Sequence, residues 1–438
     1  MSLLAELDGW IGEAAKRHGV PGAAVAVGHR GELAEAATGV VNVDTGVATT
    51  PDTLFQTGSV GKIWTAVLVM QLVADGLVEL DQPVRRYLPE FSVVDPEATE
   101  TVTVRHLLTH TGGFDGDLFE DTGRGDDALD RYLAHLGGHA EQIAPPGALF
   151  SYCNSGFSVL GALVARLRGS TYEAVVRERI VEPLGARHVA LLAEEAILFR
   201  AAAGHINGKL TPQWQLPRSI GPAGGALFVA PRELVRFGRL FLDDGQSALV
   251  KAQLDLPGVP ERGAKQRGLG PILYDWDATA VVGHDGETMG QATQWRVVPG
   301  HDLVVAMSVN SSSYRSFFDE VLDRIVGELT GLTVPARPTP PVHPPQPGPE
   351  QFAGRYRYPL ATYDVVVAED GFDVTSTPHG LAARFGDVVS TDRYVALDGD
   401  TFITAEPDGG SHSTLTFLEG GRYLYGGRVA KRVSTGTA

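Results

Sequence analysis

The chain has 438 residues, 43% hydrophobic and 20% charged, with 36 basic against 53 acidic side chains and a net charge of -17. That length suits roughly two or three packed units. The acidic balance, with no basic patch to offset it, argues against nucleic acid and anionic membranes as partners. A single cysteine, Cys153, excludes an internal disulfide framework and any cysteine-based zinc site.

Met1 to Asp8 shows neither the basic start nor the apolar stretch of a secretory signal, so a cytoplasmic location is expected. Leu3 to Arg17 has helical spacing, Gly22 to Val27 reads as a small-residue strand, and His29-Arg30-Gly31-Glu32 turns the chain into a second strand. An amphipathic stretch is expected from Ser59 to Asp75. Within it, Ala66 to Ala74 is the longest apolar run, too short for a bilayer and read as a buried helix. Trp295 to Val298 and Leu303 to Val309 read as strands around the turn Pro299 to Asp302, and Ser316 to Leu329 as a closing helix. This order predicts an α+β unit: an antiparallel sheet built from both ends of the unit and flanked by helices. Eight prolines between 335 and 349 then predict an extended spacer. Beyond it, short strands such as Tyr363 to Val367, Tyr394 to Leu397 and Thr414 to Phe417 alternate with glycine turns, the pattern of a small barrel or sandwich. The expected organisation is a catalytic unit over 1–332, a linker over 333–350 and a small β-barrel over 351–438.

Ser59 and Lys62 carry the chemistry. A serine hydroxyl must lose its proton as it attacks, so it needs a base within hydrogen-bond reach. Residues three apart on a helix lie on one face, about 5–6 Å apart at Cβ, a gap that lysine spans. Gly58 lets the backbone turn sharply into the helix, whose N-terminal N–H groups favour a developing oxyanion. A Ser-x-x-Lys pair alone also arises by chance on solvated helices.

Its surroundings give it context. Phe55 to Lys62, followed by Thr65-Ala66, resembles the active-site segment of the class C β-lactamase, penicillin-binding-protein and related serine esterase superfamily. Leu107 to Gly113 resembles that family's helix-ending turn, Pro146 to Gly156 its Tyr-x-Asn loop, and Gly283-His284-Asp285-Gly286 the strand motif that is Lys-Thr-Gly in lactamases and often His-x-Gly in esterases. Gly221 to Gly225 with Arg232-Glu233-Leu234 also looks familial. The resemblance covers residues 1 to about 330 and implies a β-lactamase/transpeptidase-like fold with an all-helical subdomain; the C-terminal part is then lipocalin-like in outline.

The resemblance implies that Tyr152 sits near Ser59 and relays its proton, with Lys62 beside it to favour phenolate. It implies that Asn154 offers its amide to the surroundings of Lys62 or to the substrate, and that His284 hydrogen-bonds Tyr152 or shuttles a proton. Gly286 and Glu287 follow on the same strand, and the backbone N–H of Glu287 would join that of Ser59 in an oxyanion hole. Cys153 is read as packing, His110 as a structural histidine of its turn, and His135 with His139 as lacking partners for a metal site. No cofactor and no metal are expected.

The expected function is therefore a serine acyl-transfer enzyme that forms an acyl-enzyme on Ser59 from a small or peptidyl ester or amide. The acyl group then passes to an amine, as in transacylation, amide-bond formation or peptide cyclisation, or to water, as in an esterase or amidase. Specialised metabolism is the expected setting, with a carrier protein as a candidate partner. Replacement of Lys-Thr-Gly by His284-Asp285-Gly286 removes a cation expected to bind the β-lactam carboxylate, so β-lactamase activity is expected to be low at best. A D-amino-acid-specific peptidase and a binding protein that keeps the fold without the chemistry stand as alternatives. Residues 116–143 and 192–218 are expected to wall the pocket.

Overall fold

The computed structural model describes residues 3–342, 348–380, 383 and 388–433. The helix Leu3–Arg17 leads into the hairpin Gly22–His29 and Glu32–Gly39, whose turn residues Arg30 and Gly31 both take positive φ. That backbone matches the right-handed twist of the flanking strands. The first hairpin pairs with the last strand of the unit, Ala23 opposite Val309 and His29 opposite Leu303. The sheet has eight strands, running from Glu32–Gly39 through Gly22–His29, Leu303–Val309, Ala292–Val298, Thr279–Glu287, Ile272–Trp276 and Ala264–Arg267 to Leu254–Asp255. Strands from both ends of the unit thus meet at its middle, as the order of elements predicts.

Helices cover both faces. Leu7 and Ile11 of the first helix pack with Phe317, Val321 and Ile325 of the closing helix Arg315–Thr330 on one side. On the other, Trp64, Phe237 and Trp295 lie in the core of a helical layer that includes Gly61–Ala74, Ala128–His139 and Asn154–Arg168. Strand residues here are small because the helices come close: a Cβ on Gly28 would lie 2.6 Å from the Val235 side chain.

The Ser59 to Asp75 stretch departs from expectation. Ser59 sits in the 3-10 turn Gly58–Val60, and the α-helix that follows, Gly61–Ala74, is buried on every side from Gly61 to Val69. An amphipathic helix shows a polar stripe; here Lys62 is itself in the core. The run Ala66 to Ala74 is accordingly a buried helix over most of its length.

Past the closing helix, residues 331–342 form neither helix nor strand, and 343–347, which include Pro344, Pro345 and Pro347 of the expected spacer, lie outside the described residues. Eight antiparallel strands from Gly354–Tyr358 to Val429–Val433 then close into a barrel, with Arg355 paired to Val433. Phe352, Tyr356, Phe372, Phe402 and Phe417 share its core, Phe352 stacking on Phe417 at 4.3 Å. The outline is that of a small up-and-down barrel, and aromatic side chains occupy its interior.

Candidate active site

Two close backbone approaches define the nucleophile turn. Gly58 takes φ 51°, and a Cβ there would lie 2.6 Å from the Glu287 nitrogen. A Cβ on Gly286 would overlap the Thr57 carbonyl and lie 2.7 Å from the Ser59 nitrogen. The end of the strand Thr279–Glu287 therefore lies directly against the Ser59 turn, and only glycines permit it. This brings the main chain of Glu287 beside that of Ser59. The Glu287 carboxylate points away to solvent and accepts a hydrogen bond from the Tyr314 hydroxyl at 2.9 Å.

Lys62 Nζ lies 3.0 Å from Ser59 Oγ and donates to the Ala223 carbonyl at 2.7 Å. Burial holds its pKa well below the usual ammonium range, helped by the charges of Arg428 and Arg267 and opposed by Asp117. That shift favours the neutral amine, whose lone pair is what a base needs.

Tyr152 lies across the site, its ring centroid 4.9 Å from Lys62 Nζ. Lys62 does not draw it toward phenolate, as the sequence reading expects. Burial pushes the phenol pKa up, against the pull of Arg267, Ser59 and Arg428. Burial thus favours the uncharged form of both residues. The Tyr152 hydroxyl has no hydrogen-bond partner of normal geometry, although Ser59 stands near enough to favour its ionised form.

Asn154 donates its amide to Asp117 Oδ1 at 2.6 Å, a carboxylate whose charge acts on Lys62, and not to Lys62 itself. His284 is 3% exposed and shares a 2.6 Å hydrogen bond between Nδ1 and the Asp285 carbonyl. Its Nε2 has no partner, and its ring centroid is 6.1 Å from that of Tyr152, with no hydrogen bond between them. Burial and the nearby Arg267 and Lys62 hold its pKa well below the usual imidazole range, which favours the neutral ring. Asp285 instead pairs with Arg296 at 2.6 and 3.0 Å.

The residues read as structural have structural contacts. His110 takes φ 58°, stacks on Tyr152 at 4.4 Å and accepts from the Cys153 nitrogen at 3.0 Å. Cys153 caps the helix Asn154–Arg168 by accepting from the Gly156 nitrogen, and burial pushes its thiol up to about 12.

Three charged residues near this site carry no sequence motif. Arg267 is 3% exposed, and its guanidinium lies 5.4 Å from the Tyr152 ring, with one hydrogen bond, to the Gly270 carbonyl. Arg428 comes from the barrel and lies 5.0 Å from the same ring. Asp117, in the first of the two expected wall segments, pairs with Arg428 at 2.5 and 3.0 Å. Arg218 ties the two wall segments together through the Arg124 carbonyl and Asp126.

The beta-lactamase family model matches residues 7–329. The chain belongs to the beta-lactamase family. Family membership makes it a serine hydrolase or acyltransferase by type, and its relatives span several names within that class. It is 42% identical over 365 residues to penicillin-binding protein 4 of Amycolatopsis lactamdurans, covering 77% of this chain and 93% of the relative. It is 35% identical over 363 residues to esterase EstB of Burkholderia gladioli, covering 71% and 89%. Among solved structures, SurE with D-Leu superposes with a TM-score of 0.77 at 27% identity, covering 98% of this chain and 99% of that one. The SurE match therefore extends through the barrel, whereas the family model stops before it. Among the described residues, no helix of this beta-lactamase-family chain is long and apolar enough to cross a membrane.

Proposed function

We propose that this chain is a serine acyl-transfer enzyme in which Ser59 attacks an ester or amide carbonyl, Lys62 takes its proton, and Tyr152 protonates the leaving group. The observation that carries this reading is the buried Lys62 amine 3.0 Å from Ser59 Oγ, its proton affinity lowered by burial. As the Ser59 oxygen bonds to the carbonyl carbon, its proton moves to Lys62 and the carbonyl oxygen becomes an oxyanion. The N–H groups of Ser59 and Glu287 are the proposed donors to that oxyanion; one such donor is typically worth about 2.7–4 kcal/mol. Collapse expels the leaving group, which takes the Tyr152 proton, and the lysine ammonium restores the phenol. An amine or water then reverses these transfers to release the acyl group. His284, neutral and with an unpartnered Nε2, is proposed to accept a hydrogen bond from substrate or from Tyr152 as the tyrosine moves during turnover.

An amine acceptor is the reading we favour. Arg428 of the barrel and Arg267 both lie against the Tyr152 ring, and their charges would favour an acceptor that carries a carboxylate or peptide carbonyl. The likeness to a structure solved with D-Leu supports a D-configured residue on one of the two reactants. Intact-mass measurement after exposure to an activated acyl ester tests both steps. The expected result is an adduct on wild type, absent from Ser59→Ala, that is released faster by a D-amino acid amide than by water. Release by water alone would make the enzyme a hydrolase, and no adduct on wild type would leave a binding protein.

A further inference from the structure

The C-terminal barrel docks on the tyrosine loop and not merely beside it. The Tyr152 nitrogen donates to the Gly427 carbonyl at 3.2 Å, and the Val429 nitrogen donates to Ser151 Oγ at 3.1 Å. Ile143 and Ala144 share an apolar cluster with Tyr423 and Val429. Into this dock the turn between the last two barrel strands sends Arg428, whose guanidinium reaches the Tyr152 ring. Opposite it stands Asp117, its side chain 1% exposed, gripping Arg428 through two hydrogen bonds while accepting from Asn154 and, at 3.4 Å, from the Tyr358 hydroxyl of the barrel.

We propose that Asp117 is a positioning residue of the acyl-transfer site: it fixes Arg428 against Tyr152 and Asn154 beneath it, which makes the barrel a working part of the site. Docking alone does not account for the pair. The apolar cluster, one main-chain hydrogen bond and one main-chain to side-chain bond already join the units, and a buried ion pair adds little net stability over an apolar pair of the same shape. What the pair does supply is a fixed cation and a fixed anion next to Lys62. Around that lysine stand Arg428, Asp117, Arg267 and Cys153, with Tyr152 alongside and His284 and His110 further round the site. Of these, Arg428 opposes the protonated lysine and Asp117 favours it. Each member of the pair thus acts on the base with opposite sign, and removing either one should shift the base in a predictable direction.

This inference rests on Lys62 acting as the base toward Ser59, and the test separates the two. The acylation rate of the full chain by p-nitrophenyl acetate is followed across pH, with Ser59 occupancy read by intact mass. Asp117→Asn removes the anion and is expected to move the acidic limb to lower pH, because the ammonium loses a partner. Arg428→Met removes the cation and is expected to move it to higher pH, each by about one unit. Arg428→Lys keeps the charge and should stay near the wild-type limb, which preserves the test should Asp117→Asn not fold. Ser151→Ala weakens the dock without touching a charge and is expected to slow acylation with the limb in place. Limbs that move in the same direction in Asp117→Asn and Arg428→Met, or that move as far in Ser151→Ala, would overturn the proposal while leaving the Ser59 reading intact. A wild type that takes no acyl group on Ser59 would overturn both.

Discussion

Ser59 and Tyr152 face each other, yet they are held in different ways. Around Ser59 the support is main chain from within the catalytic unit: the Gly58 turn lies against the strand end at Gly286, and the Ala223 carbonyl fixes the lysine. Around Tyr152 the support is ring stacking and charge, from His110, Arg267 and, across the chain, Arg428. Main-chain support leaves no room for an added atom. Charge support tolerates changes of shape better than changes of sign.

Substitutions can break this contrast, beginning with the largest effect. Ser59→Ala should abolish the acyl adduct and lower turnover by at least about 10³-fold, read by mass spectrometry and steady-state kinetics. Tyr152→Phe should leave the circular dichroism spectrum unchanged and slow turnover by about 10³-fold, since only the proton donor is lost. On the nucleophile side, Gly286→Ala should cost about 10²-fold in kcat and also lower the melting temperature, because its methyl group meets the Thr57 carbonyl. A Gly286→Ala enzyme of normal activity would show that the oxyanion donors lie elsewhere.

Lys62→Met sharpens the comparison from the side of stability. The unfolded chain keeps the lysine proton up to its ordinary pKa near 10.5, whereas the folded chain releases it well below that. Between those two values the unfolded state binds the extra proton, so the wild type loses stability as pH falls. Replacing the lysine removes this penalty. The variant, though inactive, should therefore melt higher than wild type, with the difference growing by about 1.4 kcal/mol per pH unit toward acid within that window.

How far the sequence could be read follows the same division. Ser59 and Lys62 could be paired from their helical spacing, and Tyr152 and Gly286 from the resemblance of their short segments to a known family, because each stands within a local motif. The barrel was visible from its strand and turn rhythm. Asp117 and Arg428 were not: they are 311 residues apart, each sits in a loop without a motif, and ion pairing across units leaves no periodic trace. For the same reason Asn154 could be assigned only to the surroundings of Lys62 or to substrate, and not to Asp117. The helix after Ser59 was read as amphipathic, and a buried lysine does not distinguish itself from an exposed one in sequence. The expectation of a phenolate at Tyr152 counted a nearby positive charge and left out burial, which here acts on both partners.

The closed ring of the barrel has a consequence for how the enzyme can change. With its first strand bonded to its last, no strand can slip by a residue without breaking hydrogen bonds around the circumference, so the turn that carries Arg428 is tied to every other strand. Aromatic side chains share its core. The outward loops at the rim are then free to vary while the arginine stays in place, and a lineage could exchange one reaction partner for another by rewriting those loops alone.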